Sequence, residues 1–139
     1  MNNIDFFPAK TEKSEPALSY IVEAAVSLVA ANYMSLYGVS ELADALAVNK
    51  SYLIRIFKRE TGVTPGQYLI MTRIAKSKEL LADAGCTVEM AARLSGFSSV
   101  SYFSRIFKRF NGESPSAFRR HTAPRENFDD IAELYLSEL

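Results

Sequence analysis

An all-α fold is predicted for this chain, and three observations predict it. Apolar residues recur at helical spacing with no convincing strand alternation, helix-starting and helix-ending residues punctuate them in order, and part of the second half repeats the first. The 139 residues are 48% hydrophobic and 23% charged, which fits one domain with a buried core and excludes a wholly disordered chain. One cysteine excludes a disulfide scaffold and a cysteine-rich zinc site, and one histidine leaves little for metal binding. No metal and no cofactor are therefore expected. The longest apolar run, Ile21 to Ala31, is interrupted by Glu23, is too short to cross a bilayer and lacks the basic flank of a secretion signal. A soluble cytoplasmic protein with no membrane contact is the expectation.

Taken in order, residues 1–13 mix polar side chains with Phe6, Phe7 and Pro8 and read as an N-terminal linker or tail. Ser14, Glu15 and Pro16 predict a helix start, a capping hydroxyl followed by proline where its missing N–H costs nothing. Leu18, Ile21, Val22, Ala25, Leu28 and Val29 then share one stripe, and Gly38 ends that segment or lies in the loop after it. A short helix is predicted from Ser40 to about Leu46, and another from Asn49 to about Thr61, closed by Gly62 in the left-handed conformation that glycine tolerates. Thr64-Pro65 opens a long helix carrying Tyr68, Leu69, Met71, Ile74, Leu80 and Leu81. It should stop near Gly85, which gives roughly 20 residues and about 30 Å.

The segment Ser51-Tyr52-Leu53-Ile54-Arg55-Ile56-Phe57-Lys58-Arg59 is answered 50 residues later by Ser101-Tyr102-Phe103-Ser104-Arg105-Ile106-Phe107-Lys108-Arg109. The register continues through Gly62 and Gly112, Thr64 and Ser114, and Pro65 and Pro115. Asn49 and Ser99 are the matching helix starts; upstream, Leu42-Ala43 answers to Ala91-Ala92 with one extra residue in the second turn. The chain thus holds two copies of one helical unit joined by the long helix. Each unit is a short helix, a tight turn and a longer helix, which is the pattern of a helix-turn-helix. Ala43 and Ala92 are small enough for helices to cross closely; Gly96 suits the following turn, and Ala47 holds its place less ideally in the first copy. Leu53, Ile56, Phe57 and Phe103, Ile106, Phe107 are spaced to face a core, which leaves Lys50, Ser51, Ile54, Arg55, Lys58 and Val100, Ser101, Ser104, Arg105, Lys108 on or near the outward face.

Charge is distributed unevenly. Residues 50–121 carry 13 basic and 5 acidic side chains, whereas both ends are acidic, 2 basic to 6 acidic over residues 1–49 and 1 to 5 over residues 122–139. A basic centre fits a polyanion-binding surface, although a solvated helical surface also carries such an excess.

The segments Tyr52 to Lys58 and Gly96 to Lys108 resemble the two signature stretches of the AraC/XylS family of bacterial transcription regulators, and Gly112 to Arg119 resembles its closing motif. The resemblance covers about residues 18–120. It implies a body of about seven helices, two helix-turn-helix subdomains held by a long connecting helix. On that basis an AraC-type DNA-binding domain is expected over residues 14–121, with helix-turn-helix units at 39–62 and 87–111 and the connecting helix at 64–84. The acidic extension 122–139 is a candidate extra helix, started by Asn127, Asp129 or Asp130 and striped by Ile131, Leu134, Tyr135 and Leu139. Such a tail would pack on the body or dock on a partner. Implied partners are double-stranded DNA at a promoter or operator, RNA polymerase, and an N-terminal effector, receiver or dimerisation domain. The 13 residues before Ser14 are too few for that domain, so the chain reads as the C-terminal piece of a larger regulator or as a stand-alone one.

The family pattern places base contacts at Lys50, Ser51, Ile54 and Arg55 and at Val100, Ser101, Ser104 and Arg105. Arginine pairs with the O6/N7 edge of guanine, so Arg55 and Arg105 lead that group; a surface salt bridge is the alternative for each. Ile54 either meets a thymine methyl or is merely exposed. Lys58, Arg59, Lys108 and Arg109 fit phosphate contacts or solvated charges. Asn49, Ser99, Thr64 and Ser114, at helix starts, and Arg119 and Arg120 complete the phosphate candidates. Tyr52, Tyr102, Phe57 and Phe107 read as core or groove-edge packing rather than base-stacking groups. Two recognition helices on one duplex face must lie about 34 Å apart, close to the length of the connecting helix, and a rigid spacer would require DNA bending at about 1–6 kcal/mol. Enzymatic function is not expected: Cys86 and His121 lie far apart without an acid–base partner, and no phosphate-cradling glycine loop is present. The rival to a DNA-binding regulator is a helical protein-interaction module that has kept the fold and lost DNA binding.

Overall fold

The computed structural model describes residues 18–122. Among them are seven helices: α1 (Tyr20–Asn32), α2 (Val39–Leu46), α3 (Lys50–Thr61), α4 (Pro65–Leu81), α5 (Val88–Leu94), α6 (Val100–Asn111) and α7 (Pro115–His121). They fall into two compact units that divide between Thr72 and Arg73, within α4. The expected linker at 1–13 and the candidate tail helix lie outside the described residues. None of the described helices is long and apolar enough to cross a membrane.

In the first unit α1, α2 and α3 pack on one another. Val22, Ala25 and Val29, spaced by three and four, put one face of α1 against Leu42 and Ala43 of α2 and Leu53, Ile56 and Phe57 of α3. Tyr68 and Leu69, from the start of α4, complete this core, with the Phe57 and Tyr68 rings 5.6 Å apart. The helix expected from Ser14 begins instead at Tyr20. Ser19 is its cap: its Oγ accepts from the Val22 N–H at 3.4 Å, and its own N–H donates to Glu60 Oε1 at 2.8 Å. Ser14, Glu15 and Pro16 themselves lie outside the described residues.

The second unit buries Ile74 and Leu81 of α4, Cys86, Ala91, Ala92 and Leu94 around α5, and Phe97, Phe103, Ile106 and Phe107. Its centre is a run of rings in which Phe97–Phe103, Phe103–Phe107 and Phe107–Phe118 lie 5.1, 5.6 and 5.5 Å apart, tilted or edge-on as aromatic quadrupoles favour. α4 has 17 residues, so it spans about 26 Å rather than the expected 30. Past Leu81 the chain tightens into i→i−3 turns, the Ala82 N–H donating to Glu79 O at 3.3 Å and the Asp83 N–H to Leu80 O at 3.0 Å. Arg119 Nη2 donates to the carbonyls of Ala84 at 2.7 Å and Asp83 at 3.2 Å.

The two copies match bond for bond through their helix-turn-helix turns. The Val48 N–H donates to Ala43 O at 3.0 Å, and the Phe97 N–H donates to Ala92 O at 2.9 Å. This equivalence puts the extra residue of the second turn at Ser98, after the shared bond. Just before it, Gly96 adopts φ +106°, whereas Ala47 is held at φ +57°, ψ +41°, the one non-glycine residue with positive φ among those described. A Cβ in that left-handed region is unfavourable. Ala47→Gly is therefore expected to raise stability by about 0.5–1 kcal/mol, less than the full steric relief because glycine also loosens the unfolded chain. Urea unfolding followed by circular dichroism measures it, and a variant less stable than the parent contradicts the reading.

Candidate nucleic-acid interface

α3 and α6 are built alike from cap to cap. Asn49 Oδ1 accepts from the Tyr52 N–H at 3.2 Å and Ser99 Oγ from the Tyr102 N–H at 3.1 Å. At the far ends Gly62 (φ +89°) and Gly112 (φ +80°) return their N–H groups to the carbonyls of Lys58 and Lys108. The core triplets anchor the inner faces, so the outer faces are fixed by helical geometry. Lys50, Ser51, Arg55, Lys58 and Arg59 are exposed on α3, and Val100, Ser101, Arg105, Lys108 and Arg109 on α6; Ile54 and Ser104 are half-buried at matching places.

The electrostatics separate these cations from the others. Lys76 lies 3.6 Å from Glu79, Arg93 lies 3.8 Å from Glu89, and Lys78 stands over the Phe118 ring. By contrast, among the described residues no carboxylate lies within ion-pair reach of Lys50, Arg55, Lys58, Arg59, Arg105, Lys108 or Arg109. The salt-bridge alternative for Arg55 and Arg105 has no partner there. Each guanidinium instead lies over a tyrosine three residues back, Arg55 Cζ 5.6 Å from the Tyr52 ring centre and Arg105 Cζ 5.8 Å from that of Tyr102. Neither tyrosine belongs to the core; they are 39% and 40% exposed. Their pairing with arginine was not read from the sequence, although a Tyr-x-x-Arg spacing repeated at the same offset carries the signal. Lys58, Arg59, Lys108 and Arg109 also occupy last turns, where the helix dipole favours cations.

The remaining phosphate candidates divide. Asn49, Thr64, Ser99 and Ser114 are all N-caps whose side-chain oxygens accept a backbone N–H, which leaves the amide NH₂ or hydroxyl proton of each to donate. At Thr64 the cap is reciprocal: its own N–H donates to Gln67 Oε1 at 2.8 Å, so that amide is already engaged. Arg120 is exposed. Arg119 is turned to the Asp83 and Ala84 carbonyls, where it braces the end of α4. His121 Nε2 meets Glu113 Oε2. On α4, Arg73 is partly desolvated, which lowers its pKa, while Tyr102 pulls in the opposite direction.

Cys86 is fully buried, with Sγ 3.5 Å from the Thr87 carbonyl. Burial pushes its thiol up to about 11, against an opposing pull from Arg119 and with a smaller push from Asp83. The unfolded chain releases this proton near the ordinary thiol value, so the thiol contributes full stability below about pH 9 and loses it as pH rises toward 11. A decline on the order of 1–2 kcal/mol across that window is expected, and Cys86→Ala should flatten it. Denaturant melts at stepped pH decide the matter; an equal decline in the variant assigns the loss to other groups.

The paired helix-turn-helix units, whose second helices carry cations without a carboxylate partner among the described residues, define a class, and the comparisons agree. The family profile described as a helix-turn-helix domain matches residues 42–121. The chain is 30% identical over 84% of its length to the Msm operon regulatory protein of Streptococcus mutans, and it spans 42% of that protein. A solved structure of a probable AraC family transcriptional regulator from Rhodopseudomonas palustris is 26% identical with a TM-score of 0.67, over 77% of this chain and all of that one. The DNA-binding domain of AdpA, a global transcriptional factor solved with a target DNA, is 27% identical with a TM-score of 0.65, over 77% of this chain and 92% of that one. The chain belongs to the AraC/XylS family of transcription regulators.

Proposed function

We propose that the chain binds double-stranded DNA sequence-specifically as a cytoplasmic transcription regulator without enzymatic activity, α3 and α6 each entering a major-groove segment. The observation that carries the reading is the repeated outer face, in which seven cations of α3 and α6 lack a carboxylate partner among the described residues. Such a face offers charge to phosphates without first breaking an ion pair. In this reading Arg55 and Arg105 address guanine edges. Lys50, Ser51, Ile54, Val100, Ser101 and Ser104 shape the surrounding base preferences. Asn49, Lys58, Arg59, Thr64, Ser99, Lys108, Arg109, Ser114 and Arg120 set the register on the backbone. Arg119 acts indirectly, by bracing the link between α4 and α5. The similar DNA-binding domain of AdpA was solved in complex with a target DNA, which supports DNA as the partner.

Fluorescence anisotropy against a duplex enriched from random DNA tests the proposal. The logarithm of the affinity should fall with the logarithm of salt at a slope of about −4.5 or steeper, as expected when five or more phosphates are neutralised at about 0.9 each. Weak binding indifferent to sequence would sink it and favour the protein-interaction module.

A further inference from the structure

We propose that Tyr52 and Tyr102 are positioning residues for the two reading arginines, each ring holding the guanidinium of the arginine three residues on. The inference rests on the DNA-binding reading above. Both Cζ–centroid distances, 5.6 and 5.8 Å, fall within the range of about 6 Å over which a ring face attracts a cation. Residues three apart are neighbours on a helix surface, and the same pair forms in each unit.

The Tyr102 ring is itself restrained: it stands 6.0 Å from Phe97, which is buried and tied by its N–H to Ala92 O. An arginine free in solvent must surrender its rotamers on meeting a base, whereas one already laid on a ring surrenders fewer. The ring therefore supplies base discrimination and leaves phosphate attraction alone. Leucine removes the ring face and keeps apolar bulk; phenylalanine keeps the face and removes only the hydroxyl.

The test uses the full chain, the duplex selected by it, that duplex with single base pairs changed, and a random duplex, in competition anisotropy at fixed salt. Arg105→Ala first identifies the base pair read by the second unit. Tyr102→Leu should then lower discrimination at that pair about 5- to 10-fold, with Tyr102→Phe within about twofold of the parent. Both should keep the parent's affinity for random duplex and its salt slope. In the Arg105→Ala background Tyr102→Leu should add nothing. Equal losses on selected and random duplex overturn the proposal, as does a phenylalanine variant as impaired as leucine, which would mean that the hydroxyl, toward Arg73 or toward DNA, carries the effect. Additive losses in the double variant also overturn it, since a folding defect persists without the arginine. Tyr52→Leu, Tyr52→Phe and Arg55→Ala repeat the design for the first unit. Failure of the DNA-binding reading is separately visible, because the parent chain would then select no duplex.

Discussion

Phe107→Ala is expected to lower the free energy of unfolding by about 3–5 kcal/mol, the range for emptying a large aromatic site in a packed core. Phe107 is fully buried between Phe103 and Phe118, with ring centres at 5.6 and 5.5 Å, so its loss opens a void and breaks two edge-on contacts at once. That is a large share of the 5–15 kcal/mol typical of a domain. Guanidinium unfolding measures it, and a cost under about 1 kcal/mol would mean that the ring run is not the centre of the second unit.

The second large effect falls on recognition. Arg55→Ala and Arg105→Ala should each erase preference at a base pair of their own, at about 1–3 kcal/mol or roughly 5- to 150-fold, with the two pairs about one turn of the duplex apart. Affinity for random DNA should change little, because Lys58, Arg59, Lys108 and Arg109 keep the phosphate attraction. Selection from random duplexes by each variant reads this out directly. Loss of preference across the whole site, rather than at one pair, would argue that the arginines hold structure and do not read bases.

Much of this was legible in the chain itself, and the reasons are local. The caps at Asn49, Thr64, Ser99 and Ser114 act within one turn, and the core triplets of α3 and α6 follow from spacing along one helix. What escaped the sequence reading depends on distant partners. Ser14-Glu15-Pro16 and Ser19 are both plausible helix starts by composition. At Ser19, a carboxylate 41 residues away on α3 takes the backbone N–H. The link after α4 likewise has a distant partner, since carbonyls at Asp83 and Ala84 accept from Arg119, 36 and 35 residues on. Beside Arg120 in the sequence, Arg119 looks like one more surface cation. Only the folded unit separates the brace from the exposed charge.

α3 and α6 are each rooted in apolar side chains of their own unit, Leu53, Ile56 and Phe57 in one and Phe103, Ile106 and Phe107 in the other. The letters that the helices present are therefore free to drift apart, as Lys50 and Ile54 have from Val100 and Ser104. On the proposed DNA-binding reading, a lineage, or an engineer, can rewrite half of the site's vocabulary while the grammar of the other half stays intact.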